Sequence, residues 1–512
     1  MTEADSLDEL DQRPRTRRLV ALLFLGSLLI QAAWIVTVPP FRGIDEFDHA
    51  YRAAAVAHGQ WIADYKTPEQ RGNLVIAPRS LIEAARPECY TYYYTTYDEC
   101  NPLTNVGGGY ATVASSAARY NPVYYWFVGV PSLWFSGTAS LLAMRLAAAL
   151  ISSLMIAIIG WTITRWSRSR WPFLCLLIGL TPEVMYTSIL PAPNSVELLG
   201  GLGVWAALLG ITRVRADPRA ERQLLWVAAG MAVPLTTVRS LGPLWLGMIM
   251  LSIFAYWGRR EAWSILKRNL RAWAGAIALV VAATLAGGLW AVLAAPNTPA
   301  NMAAGGDFSH PFLQSTVQTY VWIFQSFAAF PTRGEIPPMW VYAIGLNVFA
   351  FMLIVSLRLA TRRQRRLMLS MLIASLLVPW IITLSTYSQL GAVWQGRYTL
   401  PFALGVPVLA GLVLDANRRR LKMARGFIAG AAVLYYATYV GGVLYVLNKE
   451  RAKSPQVHTG TWWVPPVWLV TALLFAGILL WTVGFVSRRS EAESTPAQTN
   501  SRDPITVDAS AG

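Results

Sequence analysis

The chain has 512 residues, 55% hydrophobic and 14% charged, with a mean hydropathy of +0.41 and a formal net charge of +16. A soluble protein of this length would divide into two or three domains and carry more charge, so that class is excluded. The basic excess raises nucleic acid as a partner, but 29 of the 43 Lys and Arg fall in the two terminal segments and in short stretches between apolar runs, which removes that reading.

Repeated apolar runs of about 17–25 residues predict an all-α polytopic membrane protein. Spanning helices are expected near 19–38, 139–163, 172–190, 195–212, 223–239, 240–258, 273–295, 339–359, 367–387, 398–414, 426–446 and 466–487, about twelve in all. The clustered basic residues then all fall on one side, and the positive-inside rule puts both termini in the cytoplasm. Residues 1–18 read as a cytoplasmic tail, too long and polar for the basic end of a signal peptide, so the first helix is expected to stay as an anchor. Residues 19–487 form the transmembrane domain, and 488–512, rich in Ser, Thr, Glu and Asp, read as a disordered cytoplasmic tail.

Two extracytoplasmic segments are long, 39–138 and 296–338, and long insertions usually carry function. The first opens with Asp45, Glu46, Asp48 and His49, a dense ionisable cluster in a chain where such groups are scarce. Residues 44–58 have a helical apolar stripe (Ile44, Phe47, Tyr51, Ala54, Ala55) opposed by Asp45, Asp48, His49 and Arg52. An amphipathic helix lying in the membrane interface is expected there. Asp45 lies at i,i+3 and i,i+4 to Asp48 and His49, so these side chains can converge on one ligand. A carboxylate here can accept a proton from a sugar acceptor hydroxyl, or hold Mg²⁺ or Mn²⁺ with Asp48 and His49. The alternative is structural: acidic residues suit a first helical turn, with Asp45 as its cap.

Further along, Cys89 and Cys100 are expected to form a disulfide worth about 3 kcal/mol, with two free thiols as the alternative. The tyrosines Tyr90, Tyr92, Tyr93, Tyr94 and Tyr97 suit sugar stacking or plain loop packing. Residues 121–136 are too short to span and read as an interfacial helix with Pro122 in its first turn. Arg145 is a weak anion-site candidate, and Cys175 a core residue. Thr181-Pro182-Glu183 and Pro191-Ala192-Pro193-Asn194-Ser195-Val196-Glu197 bracket a polar turn between the third and fourth helices. Glu183 is expected to face the bundle interior. Asn194 and Ser195 are expected chiefly as caps, while Asn194, Glu197 and Glu183 are also candidate sugar contacts. Arg239 stands as an isolated cation suited to phosphate, with Arg333 weaker. Residues 312–330 read as another surface-lying helix. Gln395-Gly396-Arg397-Tyr398 closes the set: Arg397 offers a fork of donors for phosphate, and Gly396 close backbone approach to a ligand. An arginine snorkelling beside a belt tyrosine is the alternative. There is no Walker motif, dinucleotide fingerprint, zinc-protease motif or internal repeat.

These stretches resemble a family of predicted bacterial membrane proteins that looks like a branch of the GT-C fold glycosyltransferases. The resemblance is carried by Pro39-Pro40 with Asp45-Glu46 and His49, by Asn121-Pro122-Val123-Tyr124-Tyr125, by Leu180-Thr181-Pro182 with Asn194-Ser195, and by Gln395-Gly396-Arg397-Tyr398 with Pro401, over residues 19–415. Four residues separate the prolines from the acidic pair, a departure from the family's pattern. The resemblance implies a GT-C-like transmembrane domain in a bacterial plasma membrane. It also implies a polyprenyl-phosphate-linked sugar donor and transfer to a cell-envelope acceptor on the extracytoplasmic face. Asp45 becomes the leading base and Glu46 the second, with Asp48 and His49 in support. Arg397, Tyr398, Gln395 and Arg239 become the donor-phosphate set, and Glu183, Asn194, Glu197 and Tyr124 the sugar or acceptor contacts. A transporter or flippase of polyprenyl-linked glycans is the competing expectation.

Overall fold

The computed structural model describes residues 3–63, 72–91, 100–294, 310–332, 335–391, 394–421, 424–457 and 462–486. Tyr92, Tyr93, Tyr94, Tyr97, Arg333 and the tail 488–512 lie outside the described residues. In chain order the first half comprises α1 (Glu3–Thr37), α2 (Glu46–Ala57), β1 (Asn73–Pro78), α3 (Arg79–Cys89), β2 (Thr104–Gly107), β3 (Tyr110–Ser115), α4 (Pro122–Gly129), α5 (Gly137–Trp166), α6 (Trp171–Gly179), α7 (Pro182–Thr187) and α8 (Asn194–Ile211). There follow α9 (Pro218–Thr237), α10 (Gly242–Trp257), α11 (Arg259–Arg268), α12 (Leu270–Ala294), α13 (Pro311–Phe327), α14 (Met339–Leu359), α15 (Arg362–Leu390), α16 (Leu400–Ala403), α17 (Gly405–Ala416), α18 (Ala424–Val457) and α19 (Val467–Val486).

The protein is a multi-pass, mostly helical membrane protein. Among the described residues, 9 stretches are long and apolar enough to cross a bilayer, against the twelve expected. The other three are helical but fall short. Residues 172–190 break into α6 and α7 at Thr181-Pro182, where proline removes a donor and Thr181 Oγ1 accepts from Val184 N at 3.3 Å to start α7. The helix α9 opens on Arg219, Glu221 and Arg222, and α10 has only 16 residues.

At the centre stands α8, buried along its whole length between α5, α9 and α17. Its glycines allow this: a Cβ on Gly201 would lie 2.3 Å from the Pro401 carbonyl. On the flank, α1 packs along α5 and α19, with Trp481 Nε1 donating to Leu23 O at 3.2 Å.

The first long loop departs from expectation in two ways. It contains a three-stranded antiparallel sheet of order β1-β3-β2, running from the Asn73–Ser115 pair to the Pro78–Tyr110 pair on its β1 side. Its strands have 4 to 6 residues, too short for a clear alternation in sequence. Moreover, α2 does not lie on a membrane surface. Every residue from Glu46 to Val56 is buried, because α4 covers one side and the sheet another. At the α2–α4 crossing a Cβ on Gly129 would sit 2.0 Å from Ala53 O. Exposed aromatic side chains lie instead on α4 and the turn after it, where Trp126, Phe127, Trp134 and Phe135 face outward while Tyr124 and Tyr125 face inward. Cys89 and Cys100 are joined by a disulfide that closes α3 onto the start of the β2 strand region.

Candidate active site

The segment linking α1 to α2 is bent at Phe41 (φ 65°) and Asp45 (φ 54°), both in the left-handed region that non-glycine residues seldom adopt. Such backbone persists only where surrounding contacts over-determine it. Asp45 occupies the cap position of α2, yet its side chain makes no capping hydrogen bond, so the capping reading fails. It is partly exposed, the one member of its cluster that is not buried. Its charge acts on the imidazole of His49, one turn on.

The remaining members divide by role. Glu46 is fully buried and grips Arg145 with both oxygens, Oε1 to Nε at 2.6 Å and Oε2 to Nη2 at 2.7 Å. Arg145 also donates to the carbonyls of Ile35 (3.1 Å), Val38 (2.6 Å) and Pro39 (2.8 Å). All five guanidinium N–H groups are therefore used. Arg145, a weak anion-site candidate by sequence, is thus a tether between α5 and the end of α1, and Glu46 is its counter-charge. Asp48 turns away from Asp45: its carboxylate accepts from Ser116 N at 3.1 Å and Ser116 Oγ at 2.7 Å. Arg52 binds the carbonyls of Gln60, Trp61 and Tyr120, fixing the loop around α2.

His49 does face the site. Its Nδ1 is 2.6 Å from the Tyr125 hydroxyl, and its ring lies nearly parallel to those of Tyr120 and Tyr125, each centroid 5.9 Å away. Burial pushes the imidazole down from 6.5 to about 3, with Arg239 and Arg397 adding to the fall and Asp45 opposing it. The ring is therefore neutral near pH 7. The same arginines define the other wall. Arg239, in the turn between α9 and α10, donates to Asn194 Oδ1 at 2.5 Å and lies 3.8 Å from Glu197. Its guanidinium lies 4.4 Å from the Tyr398 ring centroid and 5.7 Å from that of Tyr120. Asn194 is thus a partner of Arg239 and not a helix cap, the cap position of α8 being Pro193.

Arg397 sits in the short 3₁₀ turn Gly396–Thr399 that precedes α16. It is only 4% exposed, yet its Nε has no hydrogen-bond partner among the described residues. Its charge reaches His49, Glu183 and Glu197. Tyr398 lies beside it, with the guanidinium carbon 5.6 Å from the ring centroid. Gln395 contributes to this turn through its carbonyl, which accepts from Tyr398 N at 3.0 Å. Gly396 does not approach a ligand. Its N–H donates to Gln325 Oε1 at 3.0 Å, and a Cβ would meet Trp322 O at 2.1 Å, so α13 occupies that space. Glu183 faces the interior as expected, but its carboxylate accepts from Ala329 N at 2.9 Å and from Thr187 Oγ1 at 3.4 Å, which ties the second long loop to α7. Tyr124 points its hydroxyl at Leu190 O, 3.5 Å away.

The fold therefore gathers Asp45, His49, Arg239, Arg397, Tyr398, Asn194, Glu197 and Glu183 at one end of the bundle. It leaves Glu46 and Asp48 in structural pairings. Among the described residues no group of three His, Cys, Asp or Glu side chains is arranged to hold a metal ion, so the expected Asp45, Asp48 and His49 set does not assemble. Tyr120 and Tyr125, which neighbour His49, were not expected as site residues. Their signal was present in the aromatic run around Asn121-Pro122, but only the fold brings it to His49.

A family described as "Predicted membrane protein (DUF2142)" matches residues 28–406. The chain belongs to this family. Against solved structures, the chain is similar to the crystal structure of ArnT from Cupriavidus metallidurans bound to undecaprenyl phosphate. Identity is 14% and the TM-score 0.43, over 92% of this chain and 78% of that one. It is also similar to apo ArnT from the same organism, at 13% identity and TM-score 0.35, covering 84% and 74%. A comparison with curated proteins gives no match.

Proposed function

We propose that this member of the family is a membrane glycosyltransferase of GT-C type. It moves a sugar from a polyprenyl-phosphate donor to a cell-envelope acceptor, on the extracytoplasmic face of a bacterial plasma membrane. The observation that carries the reading is Arg397: a buried guanidinium with an unpartnered Nε, acting on the same imidazole as Asp45. A buried donor left unmade is costly, and an anion relieves that cost. The sidedness rests on the clustering of Lys and Arg between the other helix ends.

In this reading the acceptor hydroxyl gives its proton to the Asp45 carboxylate as its oxygen attacks the anomeric carbon. The bond from that carbon to the phosphate oxygen breaks, and its electron pair leaves with the polyprenyl phosphate. Arg397, with Arg239 behind it, offsets the charge that develops on the leaving group. A single displacement of this kind inverts the anomeric centre. Neutral His49 orients the acceptor side through its hydrogen bond with Tyr125. Glu46 aligns Asp45 by holding Arg145.

The test uses membranes carrying wild-type or Asp45→Asn protein, supplied with radiolabelled polyprenyl-phosphate hexoses and pentoses. Loss of a general base should lower transfer by about 10²–10⁴-fold in folded protein. Arg397→Gln should raise the donor KM as well. Wild-type transfer by folded Asp45→Asn protein would sink the proposal. Movement of labelled donor across the bilayer without bond making would favour the transporter.

A further inference from the structure

A charged cavity, of about 870 Å³, lies at the opposite end of the bundle from Asp45 and Arg397. It forms where the start of the Thr16–Thr37 span meets the last turns of α5 and the turn joining α8 to α9. Asp45 follows the far end of that span, about 30 Å away at 1.5 Å per residue. Arg17, Arg165 and Arg213 ring this cavity at the helix ends. One to three turns deeper, Phe24, Leu154 and Trp161 supply an apolar wall, with Leu154 54% exposed along it.

The arginines are poised and not consumed. The Arg165 guanidinium lies 5.7 Å from the Trp161 ring centroid, and its Nε is buried without a hydrogen-bond partner among the described residues. Arg213 uses Nη2 on Leu412 O at 2.9 Å, which fixes its direction and leaves other donors. Asp217, the acidic residue on the wall, already caps α9 by accepting from Arg219 N at 2.9 Å and Ala220 N at 3.0 Å. Among the described residues none of the three arginines is in an ion pair.

We propose that this cavity binds an anionic glycerophospholipid of the surrounding bilayer. The phosphate would sit among Arg17, Arg165 and Arg213, and an acyl chain would run along Phe24, Leu154 and Trp161. A soluble phosphate needs the charged ring alone. A ring continuous with an exposed apolar wall, at the depth of the headgroups, fits a molecule that is anionic at one end and aliphatic at the other. This proposal does not rest on the glycosyltransferase reading, because no residue is shared with that site.

The experiment is native mass spectrometry of the full-length protein in detergent, titrated with dioleoyl phosphatidylglycerol or dioleoyl phosphatidylcholine. Tighter binding of the glycerol lipid by about tenfold or more is expected, shrinking as salt is raised. Arg165→Gln/Arg213→Gln should abolish the preference, whereas Arg362→Gln/Arg366→Gln, exposed arginines elsewhere, should keep it. Should the first double variant fail to fold, Leu154→Trp, which fills the apolar wall without altering charge, must weaken binding of the glycerol lipid at least fivefold or so. Equal affinity for the two lipids would overturn the proposal. So would a preference that survives in the folded Arg165→Gln/Arg213→Gln protein, or equal competition by soluble glycerol phosphate.

Discussion

Glu46→Gln separates alignment from catalysis. The substitution keeps the side chain's shape but removes its charge. In the wild type, Glu46 closes a bidentate pair with Arg145 at 2.6 and 2.7 Å and accepts from Gly43 N at 3.1 Å, with both partners fully buried. The amide can still accept at its oxygen, but its NH₂ faces a guanidinium donor, so one of the two charge-assisted bonds becomes a donor–donor clash. What remains is a buried cation without a counter-charge, held by one amide oxygen and the Ile35, Val38 and Pro39 carbonyls. Removing one partner of such a pair costs about 3–5 kcal/mol. Thermal unfolding of detergent-purified protein should therefore show a drop of several degrees, and Arg145→Met added to Glu46→Gln should recover a good part of it. Asp45→Asn, a near-isosteric change at a partly exposed residue whose left-handed backbone asparagine also adopts, should lower transfer by about 10²–10⁴-fold with a far smaller change in melting temperature. A Glu46→Gln protein as stable as wild type but devoid of transfer would refute this division, and would return Glu46 to the role of base.

Two further outcomes follow from the same geometry. His49 has its folded-state value pushed from 6.5 to about 3, so between these limits the unfolded chain takes up a proton that the folded chain refuses. Stability then rises with pH through that window and is lost as pH falls, by about 2 kcal/mol at pH 5 relative to pH 8. Melting curves at the two pH values should show this loss in wild type and a much smaller one in His49→Gln. Gly129→Ala places a methyl 2.0 Å from the Ala53 carbonyl, a backbone atom that cannot rotate away. It should destabilise the loop by about 1–3 kcal/mol and loosen α2, seen as faster amide exchange across Glu46–Ala57.

The membrane-spanning plan was legible because apolar runs and basic stretches are local signals. Pro182 carried the signal for the break between α6 and α7, since its effect on backbone is intrinsic, but the continuous apolar run over 172–190 outweighed it and one helix was expected there. The environment of α2 was not legible. Its stripe of Phe47, Tyr51, Ala54 and Ala55 against Asp48, His49 and Arg52 is a true amphipathic pattern, and such a pattern fits an interface as well as a buried helix with a polar contact. What decides between them is Asp48 meeting Ser116 and Arg52 meeting Tyr120, contacts 68 residues apart in each case. The Glu46–Arg145 pair spans 99 residues and left no trace in spacing. Asp45, Arg239 and Arg397 could be nominated singly by residue type, while their shared action on His49 required the fold. Asn194 shows the opposite error, since its place at a helix start suggested a cap and its actual partner lies in another turn.

Arg145 also bears on how the chain can be assembled. It lies within an apolar span, Gly137–Trp166, where a lone cation is expensive to insert. Ile35, Val38, Pro39 and Glu46, which accept its five N–H groups, all precede it in sequence. A chain made from its N-terminus has therefore produced every acceptor before the arginine emerges. The second span can enter the bilayer against a waiting counter-charge, and the last carbonyls of the first helix are satisfied in the same event.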